Sequence, residues 1–287
     1  MQERTLGTHD GSFHADEVTA AALLLVFNRI DRDKIVRSRD PDVLKECEYV
    51  CDVGSVYDPA LKRFDHHQVD YQGELSSAGM VLRYLFDQGV IDQKKYEFLN
   101  QSLVMGVDAH DNGRVILEPG VCTFSQVISN FVPPVYDAPA QEMRRGFDAA
   151  VDFAEGHIKR LLERYDYTDQ CRECVEEAMS KKGHALVFDR AMPWMDVFFE
   201  MGGEKHPAQF VVMPSGSHWK LRGIPPSIRD RMKVRRPLPE KWAGLMNDQL
   251  KKESGIPGAI FCHKGRFISV WETKEDAMKA LEKVISL

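Results

Sequence analysis

The chain of 287 residues contains no long uncharged hydrophobic run. No window approaches the roughly 18 apolar residues that a membrane-spanning helix needs, so the sequence predicts no membrane partner. Residues 1–10 also lack the basic start and apolar centre of a secretory signal, and they soon reach the polar residues His9 and Asp10. We therefore expect the protein to stay in the cytoplasm, where it is made.

The sequence also has few cysteines and no excess of positive charge. There are six cysteines, and the one close pair, Cys171 and Cys174, lies in a segment of helical character. No second pair and no preceding strand accompany it, which favours ordinary reduced thiols over zinc or redox chemistry. The formal net charge of −6 argues against a protein that coats nucleic acid non-specifically, although it leaves room for a local basic groove.

The pattern of hydrophobic segments indicates an α/β protein of three parts. An apolar run at 18–30 predicts a buried helix, and 35–39 and 48–54 read as strands, which together favour a parallel sheet wrapped by helices. Residues 138–182 are charged and helical, and short β-rich runs follow. The predicted parts are a parallel-sheet, metal-binding catalytic domain at 1–135, a helical connector at 136–182 and a smaller substrate-binding α+β domain at 183–287.

Residue types that bind divalent metals recur at the ends of predicted strands and helices. The clusters are His9, His14 and Asp16; then Asp52; then Asp65, His66 and His67; and finally Asp108 and Asp111. An isolated aspartate at such a position is more often a helix cap or a turn residue. Four clusters in succession nevertheless favour one shared centre, because the carboxyl ends of parallel strands converge on one crevice.

The donor set mixes imidazole with carboxylate and contains no cysteine. Such a set suits manganese, iron or zinc better than calcium, and an open two-ion site better than a closed structural one. Two ions about 3.5–4 Å apart bridge a water, lower its pKa and clamp a phosphoryl group for in-line attack. The clusters therefore predict a two-metal phosphoryl hydrolase.

Several motifs carry a family resemblance. They are THDGSFHADE at 8–17, DVGSVYDP at 52–59, RFDHHQ at 63–68 and DAHDNG at 108–113, and similar segments continue at 236–245 and 254–263. The chain resembles the melanocyte-proliferating-gene (Myg) family of the DHH phosphoesterase superfamily over essentially its whole length. The resemblance implies a DHH-type N-terminal domain and a metal-dependent 3′-to-5′ exonuclease that acts on single-stranded RNA or short oligonucleotides.

The resemblance also implies a role for individual residues and a cofactor. It implies two divalent ions, with manganese as the preferred metal. The implied ligands are His9, Asp16, Asp52, His67 and Asp108. Asp52 would bridge the ions, while Asp65 and His66 would orient ligands or the phosphate, or protonate the leaving oxygen. Asp111 and Asn112 would support the ligands. His14 stands one residue from where the superfamily has its first aspartate, so we include it among the ligands.

The second domain has a basic bias that the whole-chain charge conceals. Residues 218–267 contain twelve lysines and arginines against four acidic residues, which predicts a face that attracts a polyanion. Any single lysine there is better explained as solvated surface. The residues that we predict to contact substrate are Arg235 and Arg236 in the basic run and His263 and Arg266 on a probable hairpin, where Gly265 allows close backbone approach.

Other functions remain open at this stage. A small-molecule phosphohydrolase, acting on pyrophosphate or a nucleotide, would use the same metals. A catalytically silent module would bind nucleic acid without turnover, and a hydrolase of a non-phosphate bond would leave the basic domain without an anionic partner. The sequence also leaves a homodimer open.

Overall fold

The structure is a computed structural model that describes residues 2–287. It divides into two compact units, Met1–Arg164 and Tyr165–Leu287. The division falls inside one long helix, Ala140–Gln170, within the segment expected to connect two domains. The finer boundaries at 135/136 and 182/183 stay predictions.

The first unit is built on a five-stranded sheet. Its strands are β1 (Gln2–Thr8), β2 (Ile35–Arg37), β3 (Cys47–Cys51), β4 (Tyr57–Asp58) and β5 (Arg63–Phe64). Their order across the sheet is β2-β1-β3-β5-β4, and only β4 runs antiparallel to its neighbour. The predicted parallel sheet is therefore confirmed, with one antiparallel edge strand.

Helices cover this sheet and complete the first unit. They are α1 (Ala15–Val26), α2 (Pro41–Lys45), α3 (Ser77–Asp87), α4 (Gln93–Leu99), α5 (Met105–Asp111), α6 (Phe124–Ser129) and α7 (Ala140–Gln170). Every residue of α1 from Ala15 to Leu24 is buried, as expected for a helix that is apolar on all faces. Its core partners include Leu6, Phe64 and Leu82.

One helix differs from its sequence prediction in a way that matters for the site. The pattern at 93–107 predicts a helix that ends before a polar loop. In the structure, a π-helical turn at Asn100–Val104 joins α4 to α5, and α5 continues to Asp111. Asp108, His110 and Asp111 therefore lie on a helix, which fixes the directions of their side chains.

The second unit is an α+β structure with its own five-stranded sheet. After α8 (Arg172–Ser180) come β6 (Ala185–Val187), α9 (Met195–Glu200), β7 (Phe210–Ser215), β8 (His218–Gly223), α10 (Asn247–Ser254), β9 (Ala259–Cys262), β10 (Ile268–Trp271) and α11 (Lys274–Ser286). The strand order is β6-β7-β8-β10-β9, with one parallel pair, β6 and β7. Trp271 and Phe210 are buried in its core. The predicted fold class is confirmed.

None of the helices within residues 2–287 combines the length and apolar character needed to cross a membrane. The six cysteines are free thiols.

Candidate metal centre

Three adjacent parallel strands end in potential metal ligands. β1, β3 and β5 are neighbours in the sheet, and each is followed directly by a polar residue: His9 after β1, Asp52 after β3 and Asp65 after β5. All three strands point the same way, so these residues meet at one edge of the sheet. All three are buried. The sheet thus gathers residues that are far apart in sequence into one crevice.

Asp52 occupies an unusual backbone conformation. Its φ is +58°, in the left-handed region that few residues other than glycine, asparagine and aspartate adopt. The turn continues through Gly54 and Ser55, which also have positive φ. The Asp52 N–H still donates to the Phe64 carbonyl at 3.0 Å, so the residue remains attached to the sheet while its side chain turns into the crevice.

The two carboxylate oxygens of Asp52 face different sets of imidazoles. Oδ2 lies 3.1 Å from His9 Nε2, and Oδ1 lies 3.4 Å from both His66 Nε2 and His67 Nδ1. Burial opposes the charged carboxylate, but the surrounding imidazoles lower the Asp52 pKa to about 2. This carboxylate is therefore ionised at neutral pH and is placed between two groups of donors.

Helices α1 and α5 bring further carboxylates to the same crevice. Asp16 and Glu17 lie in the first turn of α1 and are fully buried. Asp111, in the last turn of α5, places Oδ2 3.2 Å from His66 Nε2. Burial, together with the charges of Glu17, Asp52 and Asp111, raises the Asp16 pKa well above its usual value. Such crowding of carboxylates favours a cation among them.

Asp65 holds the exposed histidine of the triad in place. Its Oδ1 accepts hydrogen bonds from the His67 backbone N–H at 3.1 Å and from His67 Nδ1 at 2.7 Å. Its Oδ2 accepts from the Ser55 N–H at 2.6 Å. Asp65 therefore fixes both the His67 ring and the turn after Asp52. This contact is of the kind that orients metal-binding histidines in other proteins.

These side chains form three overlapping groups whose donor atoms lie within 4.8 Å of one another. The groups are His9, His14, Glu17 and Asp52; Asp52, His66 and His67; and His14, Asp16 and Asp111. Both oxygens of Asp16, Oδ1 of Asp52 and Nε2 of His66 are buried without a hydrogen-bond partner. Unpaired buried polar atoms are costly. A divalent cation would satisfy the three carboxylate oxygens, so the residues fit a metal centre.

Asp108 has other partners in the structure. Its Oδ1 accepts from Ser76 N–H at 3.0 Å, Ser76 Oγ at 2.6 Å and Gly79 N–H at 3.0 Å, at the start of α3. Its predicted role as a ligand stays a prediction, while Asp111, one turn further along α5, joins the donor groups. Asn112 ends α5, and its amide donates to the carbonyls of Asp108 and Glu74.

Glu17 is a member of the site that the sequence reasoning did not select. Its carboxylate accepts from the His14 backbone N–H at 3.0 Å, three residues before it, as in a helix capping box. The same carboxylate lies 3.0 Å from His9 Nε2. The signal was present as a glutamate at the third helical position, but a capping role accounts for that pattern completely.

The predicted substrate contacts lie in the second unit. The Arg235 guanidinium donates to the carbonyls of Gly203, Pro225, His206 and Ala208, so it braces that unit internally. Arg236 makes one long contact, 3.4 Å from Gln209 Oε1. The other two residues lie at a hairpin, where Gly265 N–H donates to His263 Nδ1 and Arg266 has a φ of +57°. Their role in substrate binding stays a prediction.

His9 supplies a testable property of this centre. Burial lowers its pKa, but contacts with Asp52 and Glu17 outweigh burial and raise the pKa to about 10. Its Nδ1 lies 2.9 Å from the Asp10 carbonyl, which leaves Nε2 for a metal. A metal-bound imidazole is neutral, so uptake of Mn²⁺ should release at least about one proton, and affinity should rise at least about tenfold per pH unit between pH 6 and 9.

Calorimetric titration of the metal-free protein with Mn²⁺, in buffers of different ionisation enthalpy, measures this proton release. His9→Gln should release about one proton fewer than the unchanged protein. His218→Gln, an exposed change in the second unit, should match the unchanged protein. Heats that are independent of the buffer would contradict the prediction.

The parallel sheet with this donor set at its carboxyl edge defines a metal-dependent hydrolase. The family model MYG1_exonuc, described as "Uncharacterised protein family (UPF0160)", matches residues 5–285, and the chain belongs to this family. The chain is 52% identical over 278 residues to the MYG1 protein of Chlamydia pneumoniae, with 97% of this chain and 95% of that protein covered. It is 30% identical over 320 residues to the human MYG1 exonuclease, with 97% and 85% covered.

A solved structure, that of RecJ from Thermus thermophilus in complex with Mn²⁺, aligns with 99% of this chain and 52% of its own. The TM-score is 0.31 and the identity 12%, which is too loose a similarity to support a statement about fold or activity.

Proposed function

We propose that this protein is a 3′-to-5′ exonuclease that removes nucleotides from single-stranded RNA or short oligonucleotides. It would use two divalent ions, with Mn²⁺ as the preferred metal. The name of the human relative, MYG1 exonuclease, supports nuclease activity. The basic segment at 218–267 supports an anionic polymer as the substrate.

The placement of Asp52 is the observation that carries the proposal. One of its oxygens belongs with His9 and Glu17, and the other belongs with His66 and His67. A carboxylate shared by two donor groups is what a bridging ligand requires. Divalent ions held there would neutralise charge at a phosphoryl group and activate a water for attack on phosphorus.

The remaining side chains act on position and protons. Asp65 keeps His67 oriented, and Glu17 keeps His9 directed at the crevice. His66 lies beside Asp52 and Asp111, whose charges raise its pKa although burial opposes them. Its Nε2 is buried without a hydrogen-bond partner and lies beside these two carboxylates. We assign His66 as the donor to the leaving oxygen.

Incubation with 5′-labelled RNA, the DNA of the same sequence, and pyrophosphate tests the proposal. Each substrate is supplied with Mn²⁺, with Mg²⁺ and with a chelator. We expect a ladder of labelled RNA products that shorten from the 3′ end, most rapidly with Mn²⁺ and not at all with the chelator. Hydrolysis of pyrophosphate to phosphate without any RNA ladder would contradict the proposal. A labelled mononucleotide as the first RNA product would also contradict it, because it would show digestion from the 5′ end.

A further inference from the structure

Two cavities adjoin the donor groups and share three of their residues. One of about 540 Å³ is lined by His9, Asp52 and Asp65 and extends to Ser12 and Arg39. The other, of about 480 Å³, is lined by His66 and Asp111 and extends to residues of α5 and α6. His14, Asp52 and His67 line both. A chain bound with its scissile phosphate at this common wall would therefore place one neighbouring nucleotide in each cavity.

The two cavities have the same formal charge of −2, from three aspartates and Arg39 in the first and from Asp52 and Asp111 in the second, but they differ in whether they offer a cation. Among the described residues that line them, Arg39 is the one arginine, no lysine is present, and Arg39 belongs to the first cavity alone. The second cavity offers His110, Ser125 and Ser129, which suit the hydroxyl groups of a neutral terminal nucleoside. The first cavity is therefore the better place for a second phosphate.

The fold brings Arg39 to this place by the same rule that gathers the metal donors. It follows β2 by two residues, and β2 lies next to β1, whose end carries His9. The nearby Arg37 already has partners within the protein, because it donates to the Gly11 carbonyl at 2.8 Å and packs over the Phe147 ring. Arg37 thereby holds the loop that forms one wall of the first cavity.

Arg39 itself is held only loosely. Its side chain is 64% exposed, and its Nε lies 3.4 Å from Oδ1 of an equally exposed Asp10. An exposed ion pair of this kind contributes little, so a phosphate can take its place at low cost. The guanidinium would then bind phosphate oxygens through paired donors. The exposed residues Ser12 and Ser55 line the same cavity and provide two hydroxyl donors beside it.

We infer that Arg39, Ser12 and Ser55 form a subsite for the substrate phosphate that lies one nucleotide to the 5′ side of the scissile bond. The inference rests on the proposed function and adds to it a preference: a dinucleotide with a 5′-phosphate should be a better substrate than one without. The second cavity takes the sugar and base of the 3′-terminal nucleotide, which is released with the scissile phosphate after water adds to phosphorus and the bond to the 3′-oxygen of the preceding nucleotide breaks.

Three dinucleotides test the subsite: one with a 5′-phosphate, one with a 3′-phosphate and one with neither. Each is given with Mn²⁺ to the unchanged protein and to Arg39→Ala, Arg39→Lys and Arg145→Ala. Arg145 is a matched control, because it is 69% exposed and has one weak ion pair, 3.7 Å from Glu142. We expect Arg39→Ala to lower kcat/KM for the 5′-phosphorylated dinucleotide by about tenfold or more, chiefly through KM.

The same change should lower kcat/KM much less for the unphosphorylated dinucleotide than for the 5′-phosphorylated one, Arg39→Lys should be intermediate, and Arg145→Ala should match the unchanged protein. Equal effects of Arg39→Ala on all three substrates, no effect on any, or a preference for the 3′-phosphate would overturn the subsite. Turnover of the unphosphorylated dinucleotide by the unchanged protein reports on the proposed function separately, and its absence with all three substrates would overturn both.

Discussion

Replacing Asp52 with asparagine should lower metal-dependent hydrolysis by at least about a thousandfold, which corresponds to roughly 4 kcal/mol of transition-state stabilisation. Asp52 is the carboxylate that both the His9 side and the His66 side of the centre share. Its loss removes a charge that the amide cannot replace. Initial rates on labelled RNA with saturating Mn²⁺, together with the amount of metal retained after dialysis, measure the effect.

Asparagine is the informative substitution because of the Asp52 backbone. Asparagine tolerates the left-handed conformation, so Asp52→Asn should stay folded, whereas alanine would add strain of roughly 1 kcal/mol or more. Asp58→Asn is a suitable control, since Asp58 caps a short 3₁₀ helix and asparagine caps as well. Normal activity in folded Asp52→Asn protein, or an equal loss in Asp58→Asn, would refute the assignment.

Replacing Gly79 with alanine should lower the free energy of unfolding by about 3 kcal/mol. A Cβ at this position would lie 2.2 Å from Asp108 Oδ2, and that carboxylate is buried and bonded to the start of α3. The Asp108 side chain cannot move away without losing its hydrogen bonds to Ser76 and to Gly79 itself. Urea unfolding followed by circular dichroism measures the change.

Gly106→Ala is the matched control for this prediction. Gly106 also lies in a helix, α5, but it is exposed and a Cβ there would meet nothing within 4 Å. Alanine favours a helix over glycine, so this variant should be more stable by up to about 1 kcal/mol. A change of the same sign in the free energy of unfolding of both variants would contradict the prediction that the contact with Asp108 destabilises Gly79→Ala.

The sequence predicted those parts of the site that depend on where strands end. His9, Asp52 and Asp65 follow directly after β1, β3 and β5, and parallel strands in neighbouring positions must bring such residues together. The parallel order of the first unit was likewise predictable, because strands alternated with helical segments. The exact partners across the crevice were not, since they depend on side-chain directions.

Two residues show why the remainder needed coordinates. The hydrogen bonds of Asp108 could not be predicted: α5 continues past this residue, and its Oδ1 accepts from Ser76 and Gly79 at the start of α3, some thirty residues earlier. Arg235 lies in a basic run and is predicted to contact substrate. Its bonds to the carbonyls of Gly203, His206 and Ala208 depend on how the second unit closes, which no local pattern encodes.

The origin of the metal donors in separate strands and helices has a kinetic consequence. The donor groups draw on residues from His9 to Asp111, so no short segment of the unfolded chain holds a preformed set. Metal should therefore not nucleate folding, and it binds after β1, β3 and β5 have paired. Each ion at a hundred times its dissociation constant would then add about 2.7 kcal/mol to the stability of the native state, expressed mainly as slower unfolding. Metal binding is thus the last step in the maturation of the protein, and it is the step that slows unfolding of the native state.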